Sequence, residues 1–116
     1  MKKRILSVFL VVVMLFTMLP TFTISSFALT SGDFEYEILE DGTAEITNYT
    51  GSVTDLEIPS TIDGYVVTKI SDGAFYRCTA LESIEISDKI ISIGQEAFVN
   101  CTNLKKIEVS ENNPNY

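Results

Sequence analysis

The chain has 116 residues, 46% of them apolar, with 8 basic and 16 acidic side chains and a formal charge of −8. Nucleic-acid binding is dominated by Lys and Arg neutralising phosphates, so this acidic balance excludes a DNA or RNA reader. The absence of histidine removes Ser-His and Cys-His dyads, the imidazole general base and the commonest transition-metal ligand, and most enzyme classes go with them.

At the N-terminus Lys2, Lys3 and Arg4 precede an uncharged apolar run from Ile5 to Leu19, which Pro20 interrupts. The run is about fifteen residues, shorter than the roughly twenty that a helix needs to span a bilayer. Charged start, apolar middle and a polar stretch of small residues together predict a secretory signal peptide over residues 1–28. Ser26 and Ala28 supply the small residues read by a signal peptidase, which predicts cleavage between Ala28 and Leu29. The mature chain then carries 5 basic and 16 acidic residues, a charge of −11. No apolar run after Leu29 is long enough to span a membrane, so a secreted or cell-surface location is expected.

Residues 29–54 predict an N-terminal β-hairpin cap. Phe34, Tyr36 and Ile38 alternate with Glu35 and Glu37, Asp41-Gly42 is a hairpin turn signal, and Ala44-Glu45-Ile46 resumes the alternation. A repeat array exposes apolar surface and unpaired backbone at its ends, so a cap is physically expected there.

Residues 55–116 read as about two and a half stacked coils. Laying residues 70–87 over 93–110 gives nine identities in eighteen positions, among them Ala74 with Ala97, Phe75 with Phe98, Cys78 with Cys101 and Leu81 with Leu104. Identity at a fixed offset of 23 is the signature of a repeat solenoid. Ile84-Glu85-Ile86 and Ile107-Glu108-Val109 alternate as short half-buried strands, with Leu56-Glu57-Ile58 as the matching strand one coil earlier. The Ala-Phe-x-x-Cys-x-x-Leu stretch spaces apolar residues as one short α or 3₁₀ turn would. The expected fold is a mainly β solenoid with short helical turns, leucine-rich-repeat-like, under a hairpin cap.

The units Ile70 to Ser87 and Ile93 to Ser110, with Ala-Phe-x-x-Cys-Thr-x-Leu at their centre, resemble the BspA-like leucine-rich repeats of bacterial surface proteins. Leu56 to Ser60 followed by Asp63 to Ile70 is similar to that family's entry into its first full coil. The resemblance implies a curved solenoid, adhesion to an extracellular protein or glycan partner, and further coils beyond Tyr116, so that the array is truncated at its C-terminus.

Cys78 and Cys101 fall one coil apart. Stacked strands bring their Cα atoms within disulfide range but leave the Cβ vectors parallel, so buried free thiols are the expectation and a disulfide the alternative. No catalytic residue, cofactor or metal centre is indicated. Glu57, Glu85 and Glu108 are each the outward residue between two apolar strand positions, so in-register stacking makes them one acidic column. The column is either a solvated face partly offset by Lys106, which could reach Glu85 diagonally, or a stripe that meets a basic partner or calcium. Two function classes follow. The first is a non-catalytic binding module outside the cell, and the alternative is an N-terminal accessory region of a longer secreted enzyme such as a hydrolase.

Overall fold

The computed structural model describes residues 28–116, so the predicted signal peptide lies outside the described residues except for Ala28. Three antiparallel strands open the fold: β1 (Leu29–Ser31), β2 (Phe34–Ile38) and β3 (Ala44–Tyr49). The turn between β2 and β3 places Gly42 at φ 82, a conformation that glycine adopts without a Cβ penalty. Asp41 Oδ1 accepts hydrogen bonds from the hydroxyl and the backbone N of Thr43, and these, the hydroxyl first, hold the Asp41 carboxyl below its ordinary value. The predicted hairpin is present, and β1 extends it by a strand that the alternation pattern did not reveal.

Six further strands build the coils: β4 (Asp55–Glu57), β5 (Thr61–Ile62), β6 (Tyr65–Ile70), β7 (Ser83–Ile86), β8 (Ser92–Ile93) and β9 (Lys106–Val109). They divide between two sheets. One has the order β1-β2-β3-β6-β5 with β8 also on β6, and the other has the parallel order β4-β7-β9. The cap joins the array through β3, which pairs in parallel with β6. Ile84 lies 28 positions after Leu56 and 23 before Ile107, yet all three are register partners. The longer first step accommodates the β5–β6 hairpin, whose loop residues Asp63 and Gly64 both take positive φ, 49 and 88. Positive φ at both central residues is the two-residue hairpin geometry that Asp-Gly favours.

The stretches expected to be short helical turns form no helix. They are successive turns in which alternate N–H groups go to different partners. Ala74, Tyr76 and Cys78 donate to Ser71, Gly73 and Phe75, the three-residue step of a 3₁₀ turn. Gly73, Phe75 and Arg77 between them donate to Glu96, Ala97 and Val99 of the next coil. Helix propagation needs every N–H within one coil, whereas here stacking takes every second one.

Ile46, Ile58, Val67, Ile70, Phe75, Leu81, Ile84, Ile86 and Ile90 fill the interior and are fully buried. Phe34, Tyr49, Phe75 and Phe98 form a ladder along the stack, with ring centroids 5.0, 5.5 and 5.3 Å apart. Burial falls off in the last coil: Ile84 is 1% exposed, and its partner Ile107 is 51% exposed. The segment after β9 nevertheless supplies contacts that the sequence reading did not expect. Asn113 is buried, its Nδ2 donates to the Ser87 and Ile90 carbonyls, and the Tyr116 hydroxyl accepts from Ile93 N.

Candidate functional site

Strand alternation turns Leu56, Ile84 and Ile86 inward, so the residues between them face outward. Glu57 pairs with Glu85, and Glu85 with Glu108, in the parallel β4-β7-β9 ladder. The three glutamates therefore form the predicted column, one strand spacing of about 4.8 Å apart, and all three are exposed. Like charges directly opposite on neighbouring strands oppose pairing by a fraction of a kcal/mol, about 0.2–1 at most for such pairs.

Lys106 does not reach Glu85. Its Nζ lies 2.5 Å from Glu108 Oε1 on its own strand, where the two-residue period places both side chains on one face. The Glu108 carboxylate raises the Lys106 ammonium above its ordinary value. Both side chains are largely in water, so the pair contributes little to stability. Asp55, beside the column, accepts a hydrogen bond from Ser83 across the strands.

Two shallow depressions flank the column. One of about 330 Å³ is lined by residues including Asp55, Glu57, Ser83, Glu85 and Glu108, and another of about 430 Å³ by residues including Glu85, Glu108, Ser110 and Glu111. Among the described residues no three His, Cys, Asp or Glu side chains converge to hold a metal ion.

The cysteines are free thiols inside the stack. Cys101 Sγ donates to the Phe75 carbonyl at 2.9 Å, which ties one coil to the previous one. Burial first, and then Cys101, push the Cys78 thiol up, which opposes the thiolate that a nucleophile needs.

Stacked parallel strands, a turn layer and a repeated aromatic position define a leucine-rich-repeat type of β solenoid. Residues 22–116 match the family described as the BspA type leucine-rich repeat region (6 copies), and the chain belongs to that family. A leucine-rich cell surface protein from Faecalibacterium prausnitzii A2-165 is 37% identical with a TM-score of 0.68, covering 76% of this chain and 24% of its own. The leucine-rich repeat protein of T. pallidum is 32% identical with a TM-score of 0.66, over 74% of this chain and 41% of that one. A leucine-rich repeat protein from Bacteroides capillosus ATCC 29799 is 33% identical with a TM-score of 0.65, over 72% and 65%. The chain thus spans less than two thirds of each of these proteins. Among curated proteins nothing matches it. No helix among the described residues is long and apolar enough to cross a membrane.

Proposed function

We propose that the chain is an exported binding module that holds an extracellular protein or glycan partner and performs no chemistry of its own. Export proceeds through the signal peptide of residues 1–28, cut between Ala28 and Leu29. The contact face is the column of Glu57, Glu85 and Glu108, and its partner surface is basic. Membership of the family and the cell-surface description of the Faecalibacterium neighbour support the location. The observation that carries the reading is the in-register glutamate column, which concentrates one sign of charge on a regular surface.

The test is a comparison of the exported protein with its Glu57→Gln, Glu85→Gln, Glu108→Gln triple variant. Mass spectrometry should find Leu29 at the N-terminus. Capture of the parent by an immobilised basic protein should fall about tenfold in the variant, while the melting temperature stays level or rises. Unchanged capture would remove the column as the contact face, and an intact Met1 form would remove the export route.

A further inference from the structure

Charge is divided unevenly along the mature chain. Residues 29–68 hold nine of the sixteen carboxylates and no Lys or Arg, and all five basic residues lie between Lys69 and Lys106. The acidic half folds into the cap, β4, β5 and the start of β6, and the cap, β4 and β5 border an open cleft of about 410 Å³. Phe34, Val53, Leu56, Pro59 and Ile62 make its walls apolar, and Asp33 and Asp63 add two carboxylates to the lining. Among the described residues neither carboxylate has an ion-pair partner.

The two acids are held differently, Asp63 through its carboxylate and Asp33 through its backbone. Asp63 sits in the β5–β6 turn, where its Oδ2 accepts from the Tyr36 hydroxyl at 2.6 Å and its Oδ1 from the Ser31 hydroxyl at 3.2 Å. Asp33 is anchored through its carbonyl, which accepts from Thr50 N at 2.9 Å. A Cβ at Gly51 would overlap the Tyr49 hydroxyl and lie 2.9 Å from Asp33 Oδ2, so the absence of a side chain at Gly51 leaves room for these two groups.

We propose that this cleft binds a lysine or arginine side chain of a basic peptide segment. The aliphatic stem lies along Phe34, Val53, Leu56 and Ile62, and the cationic head meets Asp33 and Asp63. Long basic side chains bury their methylenes while keeping the head with polar partners, which is the pattern of this lining. The volume is within the roughly 300–1,000 Å³ of ligand pockets and leaves room for flanking peptide residues, which a slender polyamine would not fill. The proposal does not rest on the glutamate column, which lies on the β4-β7-β9 strands.

The probe is an acetylated and amidated hexapeptide, Gly-Leu-Lys-Leu-Lys-Gly, titrated calorimetrically into the mature protein. Binding should weaken with added salt and drop about tenfold in each of Asp33→Asn and Asp63→Asn. Both variants keep the fold testable, because asparagine has the same shape, tolerates positive φ and still accepts from Tyr36. The column triple variant should bind this peptide as the parent does. Binding by either asparagine variant as tight as the parent's, or equally tight binding of the parent to a peptide with Glu in place of Lys or to spermidine, would overturn the proposal, as would no binding at all. Loss confined to the column variant would overturn it too, while leaving the column reading in place.

Discussion

The Tyr49 and Phe75 rings lie 5.5 Å apart and inclined at 40°, and this contact carries the aromatic ladder from the cap into the coils. Tyr49 N donates to the Ala74 carbonyl at 2.9 Å, so backbone and side chain cross the same boundary. The cap therefore behaves as an additional layer of the stack. Exposed ends are where such arrays lose apolar burial, and the cap supplies it at this end.

Phe75 lies wholly inside the ladder, between Tyr49 and Phe98, whereas Phe98 is only partly buried. Truncating Phe75 to alanine is expected to cost about 3–5 kcal/mol, a large share of a total of about 5–15. Phe98→Ala should cost measurably less, because fewer of its atoms leave a packed environment. Urea denaturation of the two variants checks the order, and equal losses would contradict the ladder's gradient of burial.

The repeat pattern made the strands, their register and the glutamate column legible, because an offset of 23 carries Ile84-Glu85-Ile86 directly onto Ile107-Glu108-Val109. Other features depend on partners far apart in the chain, which periodicity does not encode. Nothing local to Asp63 announces that it meets Tyr36, 27 positions away. The turn layer looked helical because its three-residue spacing is that of a 3₁₀ turn, and only the competition for N–H groups between coils decides against a helix. Lys106 pairs with Glu108 and not with Glu85 because residues two apart on one strand share a face, an arrangement that leaves the diagonal contact unmade.

The hydrogen bond from Tyr36 to Asp63 makes a pH prediction. This bond first, then burial and the charges of Asp63 and Tyr65, push the Tyr36 hydroxyl up from 10.0 to about 12. The fold favours the neutral phenol, so the contribution is complete below about pH 10 and is lost as pH rises through about 12. An absorbance titration should show a late phenolate step that disappears in Tyr36→Phe. In Asp63→Asn the step should move to lower pH, since the amide accepts the bond without the negative charge. A late step that survives Tyr36→Phe would assign it elsewhere.

Gly94 supplies a steric prediction. A Cβ at this position would collide with the backbone N and Cα of Asp72 in the preceding coil. Gly94 N also donates to the Ile70 carbonyl at 2.8 Å, so the two coils cannot separate without losing a ladder bond. Gly94→Ala should therefore destabilise by about 1–3 kcal/mol, as overpacking against rigid backbone does. Thermal unfolding measures it, and an unchanged midpoint would show that the coils yield freely at this contact.

The last coil replaces a buried apolar residue with a buried amide: Ile90 is fully buried, and Asn113 occupies the position 23 residues later. The exchange is tolerated because the amide is fully engaged. Its Nδ2 donates to the Ser87 and Ile90 carbonyls at 2.9 and 3.0 Å, and its Oδ1 accepts from Asn115 N and Tyr116 N at 2.7 and 3.1 Å. Asn113→Ala removes all four bonds and leaves buried carbonyls without their partner, which is expected to cost about 1–3 kcal/mol. Asn113→Asp is the sharper variant. It keeps the acceptor for the two N–H groups but sets a carboxylate against two carbonyl oxygens, so near neutral pH it should destabilise more than alanine does. Acidification protonates that carboxyl, restores a donor and should narrow the gap between the two variants. Melting curves of both proteins at neutral and acidic pH give the comparison, and an aspartate variant as stable as the parent at neutral pH would show that the amide does not hold the coil through its donor side.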